Sequence, residues 1–260
     1  MALTDNIIGL WTPSAGPTGY TLLDRSSRKN HGTLTNMTAT DWAGSTIRGT
    51  AGWSLNFDAT DNVVNIGGDQ TYAKLGTPFT ASIWFFVRAF TNLYPVLLCL
   101  KSDSGQPYEI GISSGGSSYL GVLVGANATW IGLNSGTSTA TFVGQWNHLV
   151  VTYNGGTRST AANFSFMLNG LPLSMSTAAY LGVLSNNNSI GLHATNYRHD
   201  GMIGETAVAE RVWSQAESVE AYRAGDGAIW RRLSGQSRRR TYGFMQTGSR
   251  RRRLICGAEC

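Results

Sequence analysis

Carboxylates and histidines are the side chains here best able to do chemistry, and their spacing decides which chemistry is open to them. The chain carries 15 acids and 4 histidines. Two carboxylates on one strand can attack a glycosidic bond from alternate positions, because a period of two aims both at one face, about 5 Å apart for a retaining mechanism. No Glu-x-Asp-x-x-Glu run or equivalent occurs. Glu205 and Glu210 are five apart, which in a regular strand puts them on opposite faces. Glu217 and Glu220 fall on a short helix, where capping and solvation account for them, and Asp58 and Asp61 flank a turn. His31, in Asn-His-Gly, reads as a turn residue, and His148, in a strand beginning at Trp146, as a hydrogen-bonded structural histidine. No nucleophile elbow, phosphate-cradling glycine loop or dinucleotide fingerprint is present. The expectation is no catalytic residue and no enzyme.

Binding is the chemistry left open. Tyr108, Tyr119 and Trp130 could stack on sugar rings, and Tyr197 and Arg198 could contact a ligand from the loop bounded by His193 and His199. The expected rim comprises the loops Asp103–Tyr108, Asn134–Ala140 and Asn196–Asp200, since loops carry function while a scaffold holds them. Of the three cysteines, Cys99 lies in the apolar run Val96–Leu100 and is expected to be a buried hydrophobe. Cys256 and Cys260 lack a second ligand pair for a metal, and a disulfide between them or to another chain stays open.

The scaffold follows from composition. Only 13% of the 260 residues are charged, 32 are glycine, and 8 Trp, 10 Tyr and 9 Phe supply apolar area. Such a chain disfavours both a helical bundle and disorder and suits one large all-β domain. Alternating runs at Trp53–Asp58, Val63–Ile66, Phe79–Arg88, Tyr94–Lys101, Tyr108–Ile112, Tyr119–Val124, Trp146–Tyr153, Asn163–Leu168, Leu171–Met175, Ser189–His193 and Met202–Val212 predict an antiparallel sandwich. In the third of these, Phe79, Ala81, Ile83, Phe85 and Val87 share one face. Asn154-Gly155-Gly156 and Asn169-Gly170 are hairpin signals. One helix is predicted, opened by the capping box Ser214–Glu217 and ended by Gly225 in the left-handed region. No run is long and apolar enough to span a bilayer, and the amino terminus shows no secretory leader, so a product made in a cytosol, with no membrane partner, is expected.

Charge divides the chain at 227/228. From Ala228 onward nine arginines face one acid, Glu259, so this tail carries +8, the first 227 residues carry −3, and the two sum to the overall +5. The arginines (Arg231, Arg232, Arg238, Arg239, Arg240, Arg250, Arg251, Arg252, Arg253) alternate with Trp230, Tyr242, Phe244, Leu254 and Ile255. A solvated tail would lack those apolar groups. The tail is therefore expected to anchor the domain to a protein surface, either a neighbouring copy or a capsid-like assembly, in preference to nucleic acid.

The order of motifs carries a resemblance. Gly9-Leu-Trp11, Leu23-Asp-Arg-Ser26 and Asn30-His-Gly-Thr-Leu34 lead to Trp53-Ser-Leu-Asn-Phe-Asp58 and Phe79-Thr-Ala-Ser-Ile-Trp84. Trp146-Asn-His-Leu-Val-Val-Thr-Tyr-Asn-Gly155, Leu168-Asn-Gly170, Ser189-Ile-Gly191, Gly201-Met-Ile-Gly-Glu205 and Arg211-Val-Trp-Ser214 come after them. Over roughly residues 5–225 this resembles the laminin-G-like branch of the concanavalin A-like lectin/glucanase superfamily. The wording Gly19-Tyr-Thr-Leu-Leu-Asp-Arg-Ser26 is similar to laminin-G-like proteins of bacteriophage structural genes and some environmental bacteria. The resemblance implies a jelly roll of two antiparallel sheets with a loop rim, and calcium bound at that rim, for which Asp58, Asp61 and Asn62 are the oxygen-rich candidates. It also implies a lectin-like structural or adhesion module, located on a virion or cell surface and binding glycans. A stand-alone carbohydrate-binding protein and a glycoside hydrolase on the same fold are the alternatives.

Overall fold

The computed structural model describes residues 2–67, 71–74, 76–90, 95–103, 108–113, 119–124, 129–133, 141–174, 176–179, 188–191 and 198–235. Two antiparallel sheets stack face to face. The first runs β14 (Leu171–Leu173), β13 (Phe164–Leu168), β12 (Trp146–Tyr153), β7 (Phe79–Val87), β17 (Asp200–Ala209), β5 (Thr50–Asp58) and β4 (Trp42–Ile47), with β1 (Ile7–Trp11) also pairing β17. The second runs β15 (Ser176–Ala179), β11 (Thr129–Leu133), β10 (Tyr119–Val124), β9 (Tyr108–Ser113), β8 (Val96–Leu100), β16 (Ser189–Ile190), β6 (Val63–Ile66), β3 (Gly32–Thr35) and β2 (Thr21–Leu22). Neighbours such as β7 and β17 are far apart in sequence, which is the crossing connectivity of a jelly roll.

Period-two alternation builds the main core between the sheets. Phe79, Ala81, Ile83, Phe85 and Val87 of β7 all enter it, with Leu149, Val151 and Tyr153 of β12 beside them and Leu98, Leu100, Tyr108, Ile110 and Val122 opposite. The other face of β7 reads Thr80, Ser82, Trp84, a pattern that suggests solvent. All three are nonetheless buried, because two helices cover that side of the first sheet.

Helix α1 (Gln215–Ala224) opens with the expected capping box: Glu217 N–H donates to Ser214 Oγ at 3.2 Å, and Ser214 N–H to the Glu217 carboxylate at 2.8 Å. Its cap Gly225 has φ +78°, as expected, but ψ −177°, so it leaves the helix extended and outside the left-handed region. A second helix, α2 (Ala228–Leu233), comes at once. Its Ile229 is buried in a smaller apolar cluster with Leu3, Ile7, Leu10, Trp213 and Ala221. The boundary placed at 227/228 therefore moves: the folded body runs through α2. Residues 236–260, including Arg238–Arg240, Tyr242, Phe244, Arg250–Arg253 and the two terminal cysteines, lie outside the described residues. Cys99 is buried, as its apolar setting suggested.

Candidate functional site

Three strand ends of the first sheet meet at one edge of the sandwich. β5 finishes at Asp58, β17 starts at Asp200, and these two are direct antiparallel partners. Arg88 follows the last residue of β7. Its guanidinium donates to Asp200 Oδ1, to Asn56 Oδ1 and, at 3.3 Å, to the Phe57 carbonyl. Arg88 N–H also donates to the Asp200 carbonyl at 2.8 Å, which pins the loop entering β17. Asn56, Arg88 and Asp200 thus form one polar cluster held together by the guanidinium, with Asp58 next to Asp200 as its strand partner. Arg198, two residues before Asp200 in the chain, is half-buried.

Beneath this rim, His199 is fully buried, and burial pulls its imidazole down to about 4, so the ring is neutral. Its Nε2 lies 3.1 Å from the Phe86 carbonyl, and Phe57 packs edge-on against it at 6.0 Å. His199 supports the rim and does not face it.

The calcium trio does converge on this edge, but as a turn. Asp58 Oδ1 accepts from Thr60 N–H at 2.8 Å, and the Asn62 amide, oriented so that its nitrogen meets an acceptor, donates to both Asp58 oxygens. Asn62 therefore presents nitrogen, where a calcium ligand must present oxygen. Among the described residues no group of three His, Cys, Asp or Glu side chains could hold a metal. These three residues do not fit a calcium site.

Of the sugar-stacking candidates, Tyr108 is corrected. It is fully buried in the main core, 4.9 Å edge-on from Phe79, with the Arg158 guanidinium 4.7 Å over its ring. Its position alternates with Ile110 toward the facing sheet, so apolar periodicity outranks the polar hydroxyl. Tyr119 and Trp130 lie on β10 and β11, but their side chains, and the whole of Tyr197, fall outside the described residues, as do 104–107, 134–140 and 196–197 of the expected rim loops.

Glu205, which lacked a carboxylate partner on its strand face, proves to be buried beside Asp226. The register of β17 shifts between Ile203 and Thr206. This extra residue lets Ile203 and Val208, five positions apart, both enter the main core, while Glu205 turns to the other face. There Glu205 accepts from the main-chain N–H groups of Ile229 and Trp230 at 3.2 and 3.1 Å, and Asp226 Oδ1 accepts from the Glu205 N–H. Burial is the main cause that pushes Glu205 up to about 8 and Asp226 up to about 6, with their mutual repulsion adding to the rise of Glu205. Sealed under α2, neither carboxylate meets an external sugar. Glu210 lies just past β17 and pairs with Arg28 and Lys74 at 3.4 and 3.7 Å.

His148 is likewise interior. It stacks on Trp84 at 4.5 Å, its Nε2 lies 2.8 Å from Ser82 Oγ, and burial lowers it to about 3. Trp230, Arg231 and Arg232, assigned to an anchoring tail, are engaged within the fold. Arg25 stacks 4.8 Å over the Trp230 ring, Arg231 donates to the Asp226 and Ala224 carbonyls, and Arg232 pairs with Glu220.

The sequence reading missed Arg88 and Asn56 as site residues. The signal was present: an arginine closing an otherwise apolar strand, opposite an Asn-x-Asp ending another.

The comparisons with known proteins agree with the fold. The sequence profile of the laminin-G type in the concanavalin A-like lectin/glucanase superfamily matches residues 58–217, more than half of the chain. No curated protein matches in sequence. Among solved structures, domain 4 of the GH43 extracellular arabinanase AbnA from Geobacillus stearothermophilus, in complex with arabinotriose, superimposes with TM-score 0.57 at 14% identity, covering 83% of this chain and 97% of that one. The receptor binding domain of botulinum neurotoxin D gives 0.54 at 15% identity, over 85% of this chain and 53% of that one. The binding domain of Paraclostridial Mosquitocidal Protein 1 gives 0.54 at 13% identity, over 85% and 52%. This chain spans about half the length of those toxin fragments. On the matched profile, the two stacked antiparallel sheets and the motif order, the chain belongs to the concanavalin A-like lectin/glucanase superfamily, as a laminin-G-type domain.

Proposed function

We propose that this protein is a non-enzymatic carbohydrate-binding module that contacts its ligand at the rim formed by Asn56, Asp58, Arg88, Arg198 and Asp200. The observation that carries this reading is the mutual fixing of Arg88, Asn56 and Asp200 at an open edge of a rigid sandwich. Sugar hydroxyls are both donors and acceptors, and convergent, preset polar groups on a stiff scaffold suit them. The arabinotriose complex of the arabinanase domain supports a short oligosaccharide as the first probe. We also infer that the arginine-rich tail attaches the module to a larger assembly, a virion surface or a second copy, since α2 gives the tail a fixed root on the domain.

Titration of the full chain with arabinotriose and a panel of oligosaccharides, with and without calcium, tests the reading. Binding unaffected by chelator and weakened at least ~10-fold by Arg88→Ala is expected, with stability lowered by about 1–3 kcal/mol because buried Asp200 loses its charged partner. No binding to any glycan would refute the module, and steady release of reducing ends would make it an enzyme instead.

A further inference from the structure

We propose that Glu205, sealed beside Asp226, is a proton-held latch: while Glu205 keeps its proton, the segment from Asp226 through α2, with the basic tail behind it, stays docked on the sandwich, and loss of that proton loosens it. The geometry is specific. Glu205 projects from the β17 bulge into a fully buried position and accepts from the first two free amides it meets in α2, those of Ile229 and Trp230. Asp226, at the entrance to α2, reaches back to the Glu205 N–H. Two carboxylates thus share one sealed space between a strand and the segment it must hold. From α2 the charged group facing them is Arg231, which also donates to the Asp226 carbonyl at 2.6 Å. From the amino-terminal side the Thr12 hydroxyl lies 3.5 Å from Glu205 and the Ser14 hydroxyl faces Asp226.

Opening would hydrate both acids and return them to their ordinary values. Because both are held above those values when docked, the docked state binds more protons than the open one. Docking is fully supported below about pH 4. It weakens as pH rises, Asp226 contributing up to about 6 and Glu205 up to about 8. The consequence is a tail whose root is fixed in acid and neutral conditions and loosened in mildly alkaline ones.

Hydrogen exchange of the full chain at pH 6, 7 and 8 tests this, each rate divided by the intrinsic rate at that pH. The amides of 228–233 should lose protection roughly tenfold per pH unit, as expected when one proton is linked to opening, while those of β7 stay protected. Glu205→Gln retains an acceptor without the titration and should flatten the profile. Asp226→Asn removes the neighbouring negative charge, so the profile should level off at a lower pH than in the parent. A flat parent profile, or an unchanged slope in Glu205→Gln with β7 still protected, overturns the latch. Should Glu205→Gln fail to fold, an Asp226→Asn profile superimposable on the parent overturns it equally.

Discussion

His148 illustrates how burial alone can settle a protonation state. Packed beside Trp84 and Tyr222, whose rings lie 4.5 and 6.2 Å away, it has among the described residues no acid partner to favour the imidazolium. A histidine lowered on folding stabilises the native state fully above about 6.5 and loses that contribution as pH falls toward its folded value, here about 3. Each such group adds a slope of ~1.4 kcal/mol per pH unit below 6.5. Urea unfolding at pH 4, 5, 6 and 7 should therefore show a shallower acid loss in His148→Gln than in the parent. The variant should be weaker at pH 7 by about 1–3 kcal/mol, since it gives up the stacked ring. Residues whose partners are local were legible in the sequence: Ser214 and Glu217 are three apart and announce their cap. Glu205 was not, because its partners arrive from α2 more than twenty positions later and its facing depends on a bulge that period-two counting cannot register.

The strands best read from sequence were those with strict alternation and clear turn residues, as β6, β10 and β12 show, each with the bounds their pattern implied. Strands β4 and β11 went unread, since Trp42-Ala-Gly-Ser-Thr-Ile47 and Thr129-Trp-Ile-Gly-Leu133 carry glycines that argue against a strand until neighbours pair with them. The two hairpin signals had different outcomes. Asn169 and Gly170, at φ +52° and +79°, form the tight turn between β13 and β14, whereas Asn154-Gly155-Gly156 opens a longer loop closed by the Asn154 N–H on the Asn163 carbonyl. A Cβ on Gly170 would also lie 2.7 Å from Tyr222 Cδ1, so this turn is packed against α1. Gly170→Ala combines an unfavourable φ with that clash. Thermal or urea unfolding should show a loss of about 1–3 kcal/mol, against a few tenths for alanine at Gly44, where a Cβ meets open space.

Taken as one body, the described fold continues through its second apolar cluster, past the point where the charge changes sign. Composition placed the boundary before Ala228 because arginines dominate the chain beyond that point, yet Ile229 and the amide partners of Glu205 also lie there. A chain stopped after Gly235 should match the parent in thermal unfolding. A chain stopped after Gly227 should lose about 3 kcal/mol or more, through an unburied Ile and a buried carboxylate stripped of donors; equal melting of the two truncations would contradict this. The amino-terminal residues gather at the far end of β17 from the rim: Arg211 donates to the carbonyls of Ala2 and Asp5 at 2.7 and 3.0 Å, while Asp200 begins the same strand. Ten residues of strand separate the two, roughly 30 Å. The domain is therefore a lever with a handle and a working edge: whatever grips it by its amino-terminal residues points Arg88 away from the grip, with no linker needed to set that direction.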